Sequence, residues 1–417
     1  MISVETLKLF STNTSDDKEL LNELYYLMHR DTIVALLSFN RITGEITSVV
    51  DVFVSEELPV GYSSDIVQIR KWWVQRAIPV SREGLKHLLI ITNEITSTAL
   101  LLAGKGLSLT DHYWMKHVNS LEDWNTVNYY TNDFTDDIGD ILFGNKYTED
   151  VVSKLSPSSS AVGEMKKKWI IRNGVRYLLK VNLNDYSQQC VNEIIASKLH
   201  ETLNFENYVK YSLINVPLND RPALGCICKA FTSTEQEFIS AFQLIQTAGT
   251  KNDASCYELM LELAELAGLN KPAVRNHFEY TMVTDFLLTN TDRHFNNFGF
   301  LRKKDCINLT GIAPIFDTGN SLFYNQHYLP IGEGLYDINV TTFWDKETKG
   351  FKYIKPTFNF NTSVLSSFDQ IIYNLLSNCN GMPDDRKIKI VETFKVKLTI
   401  LNDFLNGSKI WKGAKYR

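Results

Sequence analysis

The first 189 residues contain no cysteine, and the six that follow (Cys190, Cys226, Cys228, Cys256, Cys306 and Cys379) include no CxxC pair of metal-binding spacing. That excludes a disulfide scaffold or a zinc ribbon and implies a reducing compartment. Cys226 and Cys228 fall on one face of a strand, as small buried side chains. An excess of positive charge is also missing: 43 Lys and Arg stand against 48 Asp and Glu, a net charge of −5 with pI near 6.0. Such a surface does not hold nucleic acid or an anionic membrane by itself. The amino terminus MISVETLKLFSTNTSDDKE has no basic start leading into an apolar core, so it reads as no signal peptide, and a cytoplasmic location is expected. No long apolar run is uninterrupted either. The most hydrophobic stretch, residues 85–106, carries Lys86, His87, Asn93 and Glu94 and reads as one buried helix, capped by Ser81 and ended by Gly104.

What is present is an ordinary folded composition, 44% apolar and 12% aromatic over 417 residues, long enough for two or three packed units. Residues 32–54 read as a hairpin turning at Thr43-Gly44, and Trp72 and Trp73 as packing residues. Asp133, Asp136, Asp137 and Asp140 lack the spacing of a calcium loop and read as a solvated acidic face. Pro157 and its neighbouring serines mark a junction within 148–169. The expected units are 1–150, a β-hairpin with helices; 151–250, β-rich; and 251–417, helical.

Asn173-Gly174 between two β-like runs is a strong hairpin signal, with Lys180 at the end of the second run. A helix over 187–204 follows, with Val191, Ile194, Ile195 and Leu199 on one stripe and Glu193 beside it. The helical stretch 277–288 leads into TNTDRHFNNFGFLR, then strands FGFLR and CINL, then GIAPIFDTGN. This hairpin brings Asp292 and Asp317 together. Phosphoryl transfer from a nucleotide needs such a set: one carboxylate to orient the accepting hydroxyl, hard oxygens for magnesium, and a cation held by an acid against the phosphates. Asp292 fits the first role, Asn297 and Asp317 the second, Lys180 with Glu193 the third.

These residues resemble the HipA-like serine/threonine kinases. The loop D-R-H-x-x-N is Asp292, Arg293, His294 and Asn297; the metal-binding Asp after Ala-Pro is Asp317. The phosphate loop S-x-x-G-x-x-x-K is Ser160, Gly163 and Lys167, and the nucleotide lysine is Lys180. The resemblance covers roughly 155–400. It implies an α+β, two-lobed protein-kinase-like fold with a β-rich N-lobe, an α-helical C-lobe and an extra N-terminal domain. It also implies ATP and Mg2+ as cofactors, a protein substrate and autophosphorylation of Ser160 that ejects the phosphate loop. A further implication is a toxin role with a small helix-turn-helix antitoxin partner; the acidic balance and the scarcity of a basic face add the expectation of no direct contact with nucleic acid or membrane. Residues 1–150 match the family less well.

Simpler readings stand beside these. Lys180 can be a solvated strand-end lysine, Glu193 a surface residue and the serines a linker; His294 packs beneath its loop, and Arg293 holds nearby backbone or carboxylate groups. Adenine is expected against ALGCICKAF and TSTEQEF, with Glu235 or Glu237 toward the ribose. A lipid or other non-protein kinase with a similar Asp-Arg-His-x-x-Asn loop is the alternative, though only Lys166–Lys168 and the tail SKIWKGAKYR offer a basic face. A nucleotide-binding regulator is the other, and would be signalled by a missing catalytic or metal residue.

Overall fold

The computed structural model describes residues 21–144, 152–161, 163, 165–218, 221–248, 256–326, 328–330, 332–336 and 338–410. The amino terminus read for a leader, positions 162 and 164 of the phosphate loop, and the tail from residue 411 lie outside them. Three sheets organise these residues. The first has the order β3-β2-β1-β4, from β1 (Asn22–His29), β2 (Thr32–Asn40), β3 (Ile46–Val52) and β4 (Tyr113–His117). Helix α1 (Ile66–Arg76) buries Trp72 and Trp73 against it, and the Trp73 indole donates to Gly44 O at 2.7 Å.

Residues 85–106 form two helices, α2 (Leu85–Thr92) and α3 (Ser97–Ala103), instead of the expected one. Asn93 takes a left-handed conformation that closes the first, and the Thr96 hydroxyl accepts from Ala99 N to open the second. The first cap is Gly84, not Ser81. A short helix α4 (Trp124–Val127) precedes α5 (Asp137–Phe143).

The second sheet has the order β5-β6-β8-β7. Its strands are β5 (Lys166–Arg172), β6 (Val175–Val181), β7 (Tyr211–Leu218) and β8 (Arg221–Lys229), with α6 (Gln188–Thr202) packed on it. Asn173-Gly174 makes the β5-β6 turn, both residues at positive φ, and the register sets Lys167 opposite Lys180 and Lys180 opposite Cys226. Cys226 and Cys228 share one buried cluster, as read.

Next come β9 (Gln236–Ser240), α7 (Ala241–Gln246), α8 (Cys256–Leu266) and α9 (Lys271–Leu288). Asn270 caps α9 by accepting from Ala273 N. Strand β10 (Gly299–Lys303) pairs with β9 and with β11 (Gly311–Ile312). The run CINL is not a strand; the pairing of Phe300 with Ile312 pushes it into the connecting loop, where Leu309 N donates to Ala267 O. The helical core joins Val191, Ile195 and Leu199 of α6 to Val283, Phe286 and Leu287 of α9. Helices α10 (Phe368–Leu376) and α11 (Asp384–Leu405) complete it. Each Leu or Phe buried there contributes about 1.5–3 kcal/mol.

A buried polar seam joins the first sheet to β9 and β10. His29 lies between Glu57 and Glu237, with Nε2 at 3.0 Å from Glu237 Oε1, and stacks on Tyr113. Arg302 closes on the same Glu237 oxygen at 2.7 Å and donates to the Tyr113 hydroxyl at 3.0 Å. Its guanidinium thus offsets the buried Glu237 carboxylate beside His29 and His112.

The acidic stretch is not a uniformly solvated face. Asp136 is buried: it caps α5 through Gly139 N at 3.2 Å and accepts from Trp169 N at 2.7 Å, Ser158 Oγ at 2.6 Å, Ser158 N at 3.3 Å and the Ser156 hydroxyl. Ser156, Ser158, Ser159 and Ser160 are accordingly buried as well, so this part of the junction is no open linker. Asp136→Asn places an amide NH2 against a backbone N–H whichever way it turns, since Gly139 N and Trp169 N address different oxygens. A loss of about 1–3 kcal/mol in urea unfolding is expected.

Candidate active site

The strand end, the next helix and the Asp317 turn converge on one ammonium. Lys180 Nζ lies 2.8 Å from Glu193 Oε1 and 2.5 Å from Asp317 Oδ1, and over the Tyr211 ring at 5.2 Å. The Lys180 and Glu193 side chains are 4% and 1% exposed, which removes the solvated-lysine and surface-glutamate readings; Asp317 keeps 37% of its side chain open. Glu193 Oε2 accepts from Thr318 N at 2.9 Å, so one carboxylate orients both the lysine and the Asp317 turn. Burial opposes the Lys180 charge, but Asp317 and Glu193 outweigh it and hold its pKa well above the ordinary value. Burial likewise opposes ionised Asp317, yet Lys180 and Lys167 bring its pKa far below the usual range.

Arg293 builds the loop. It is buried, pairs with Asp285 of α9 through Nε at 2.9 Å and a second nitrogen at 3.0 Å, and donates to Asn297 O at 2.9 Å, to Thr318 Oγ1 at 3.0 Å and to Phe316 O. It thus grips the residues on both sides of Asp317, which itself adopts φ +56°, a left-handed conformation uncommon outside glycine. Gly319 lets this turn lie close to α6, since a Cβ there would stand 3.1 Å from Gln189 O. Asn297 Nδ2 donates to Asp292 O at 2.9 Å, which leaves Oδ1 as the one atom Asn297 can offer a cation.

Asp292 Oδ2 accepts from Asn320 Nδ2 at 2.7 Å. His294 does not pack beneath the loop: its side chain is 37% exposed, with Nε2 at 4.0 Å from Asp292 Oδ1, and Nδ1 accepts from Asn296 N at 3.2 Å. The surface position follows from Arg293 occupying the interior.

Ser160 Oγ donates to Leu107 O at 2.8 Å and Pro157 O at 3.3 Å, and Arg82 donates to Gly163 O. Both anchors belong to the segment before the phosphate loop. Gly163 sits at φ +100°, a conformation that a side chain would strain, and a Cβ would lie 2.8 Å from Lys167 Nζ, so the lysine head would have to shift. Lys167 keeps some surface, yet its ammonium is hemmed in by protein. Burial, with repulsion from Lys180 and Arg82, outweighs Asp317 and brings its pKa down to about 8.

At the expected adenine region, Phe231, Phe238 and Phe316 form a ring cluster with centroids 5.4–5.7 Å apart. Glu237 is engaged by His29, Arg302 and His112 N, and Glu235 pairs with Lys304, so neither is held for a ribose. Sequence reasoning missed Asp136, Asp285 and Asn320; only Asn320 had a local signal, standing three residues after Asp317.

A family model, the HipA-like C-terminal domain, matches residues 159–375, just over half of the chain, and the chain belongs to this family of kinase-fold proteins. The serine/threonine-protein kinase CtkA of Helicobacter pylori is 27% identical over 142 residues, which cover 33% of this chain and 42% of that relative. The match thus spans less than half of CtkA. The crystal structure of H. pylori proinflammatory kinase CtkA aligns with TM-score 0.40 at 17% identity, covering 56% of this chain and 90% of that one. Shewanella oneidensis HipA, solved in a toxin–antitoxin complex with HipB and operator DNA, aligns with TM-score 0.49 at 13% identity, covering 92% and 95%. Family membership supports a kinase function. Among the described residues, no helix is long and apolar enough to cross a membrane.

Proposed function

We propose that the chain is an ATP-dependent serine/threonine protein kinase that transfers the γ-phosphate to a protein hydroxyl. The observation that carries this reading is the Lys180–Glu193–Asp317 triad, tied through Arg293 to the loop of Asp292 and Asn297. Asp292 orients the acceptor hydroxyl and takes its proton; Lys180 and Lys167 hold the phosphates. The partly open Asp317 carboxylate and Asn297 Oδ1 are hard oxygen donors that fit magnesium, which when bound neutralises charge on the phosphates. We read residues 1–150 as an accessory unit, 151–250 as the N-lobe and 251–417 as the C-lobe.

Autophosphorylation of Ser160 belongs to this proposal. A phosphate there could no longer donate to Leu107 O and would set a dianion against that carbonyl, which favours release of the loop. Intact mass after incubation with Mg-ATP, followed by peptide mapping, tests it; an unmodified loop contradicts it. The toxin role and a small helix-turn-helix antitoxin partner rest on family membership alone. For the lipid-kinase alternative, part of the basic face is engaged, since Lys166 pairs with Glu83 at 3.4 Å and Lys168 with Asp140. The regulator alternative lacks its signature, since every catalytic and metal position is filled.

The depressed Lys167 gives a pH dependence. ATP affinity is expected to weaken as pH rises through about 8, where the ammonium is lost, and Lys167→Met should flatten that profile in calorimetric titrations. The sign for stability is opposite. The unfolded lysine keeps its proton to its ordinary value near 10.5, so between about 8 and that value the unfolded state binds more protons and folding stability rises with pH.

A further inference from the structure

Three side-chain amides connect the nucleotide side of the cleft to Asp292. Asn182 Nδ2 donates to Gln189 Oε1 at 2.5 Å, Gln189 Nε2 to Asn320 Oδ1 at 2.5 Å, and Asn320 Nδ2 to Asp292 Oδ2 at 2.7 Å. Asn182 stands two residues after Lys180, Gln189 one helical turn before Glu193, and Asn320 three residues after Asp317. Each amide has one accepting and one donating end, so the chain has a direction. That direction is set twice. At one end Asn182 Oδ1 accepts from the backbone N–H of Asn184 at 2.8 Å, which turns its NH2 toward Gln189. At the other end an ionised carboxylate accepts only, which demands the NH2 of Asn320.

The backbone is bent to allow this. Asp185, Tyr186 and Ser187 all take left-handed conformations, with φ of 49°, 60° and 58°, before α6 begins and delivers Gln189. The Asn320 carbonyl also accepts from Thr291 N at 3.1 Å and Thr291 Oγ1 at 3.3 Å, so Asn320 holds the Asp292 loop by main chain and side chain together.

We propose that Asn320 is a positioning residue for Asp292, and that Asn182 and Gln189 fix the polarity with which it does so. Resting on the reading of Asp292 as the proton acceptor, this makes the donor to its carboxylate depend on strand β6 and helix α6, the elements that carry Lys180 and Glu193. A bond donated to the carboxylate fixes one oxygen, leaving the other toward the acceptor.

The test inverts the amides without changing their shape. Gln189→Glu accepts at both ends, so Asn320 must turn its NH2 to residue 189 and its carbonyl to Asp292. Asn182→Asp forces the same reversal through Gln189, one link further away. Both are expected to lower kcat for phosphoryl transfer about 10- to 100-fold with ATP affinity unchanged. Gln189→Met, which interrupts the chain but leaves Asn320 able to donate, should cost less. High salt weakens the influence of the added charge, and most of the loss should persist.

Full activity in Asn182→Asp and Gln189→Glu, or equal damage from Gln189→Met, would overturn the proposal. An independent readout needs no turnover: the Asn320 side-chain amide resonances, followed by nitrogen NMR, should shift in Gln189→Glu and Asn182→Asp as the NH2 turns from Asp292 to residue 189, and unmoved resonances refute the relay. If the native chain transfers no phosphate, the reading of Asp292 as proton acceptor fails, and the amide resonances still decide the relay.

Discussion

Lys180→Met is expected to destabilise the chain by about 3–5 kcal/mol and to abolish ATP binding, because it strands Glu193 without its cation where almost no water reaches. The two effects have different origins and separate in a double variant. Lys180→Met with Glu193→Gln removes the stranded charge and should recover most of the stability in urea unfolding, while ATP binding by calorimetry stays lost. A double variant that binds ATP would show that the ammonium serves the fold alone. Failure to recover stability would show that Asp317, not Glu193, is the partner that matters for folding, since it too sits on the same nitrogen at 2.5 Å.

Asp292→Asn carries the second large effect. Removing a group that takes a proton from the acceptor is expected to lower kcat about 10²- to 10⁴-fold. Neither Lys180, Glu193 nor Asp317 contacts the Asp292 carboxylate directly, so nucleotide affinity should hold. The amide can keep its oxygen toward Asn320 Nδ2 and the loop is otherwise gripped by Arg293, so unfolding should shift little. Rapid-quench kinetics beside ATP titration separates the terms: an unchanged rate contradicts the role, and lost ATP binding would place Asp292 among the nucleotide ligands instead.

The order of these elements was legible because each is announced locally. Asn173-Gly174 needs positive φ at two positions and marks the hairpin that ends in Lys180; the apolar stripe of α6 marks the helix that carries Glu193. The loop of Asp292 and Asn297 stands out as a polar run behind an apolar helix. What escaped depends on partners remote in sequence. Four aspartates within eight residues read as a wet face, and only donors from 139, 156, 158 and 169 make Asp136 a buried anchor. Residues 306–309 have the composition of a strand, but β10 takes residues 311 and 312 as its partner. The break in 85–106 was readable, through Asn93 as a left-handed terminator and Thr96 as a cap, yet the apolar residues around them outweighed it. Nothing in the order of residues shows three amides joined end to end, since Asn182, Gln189 and Asn320 meet only after both lobes have packed.

The central claim is that this cleft moves a phosphate from ATP to a protein hydroxyl. The direct measurement is transfer of labelled γ-phosphate, with magnesium, from ATP to the chain itself and to proteins of a bacterial lysate, comparing the native chain with Asp317→Asn. The account predicts phosphoserine or phosphothreonine formed by the native chain and lost in the variant. Measurable ATP binding with no transfer to any protein, or equal labelling by Asp317→Asn, would contradict it.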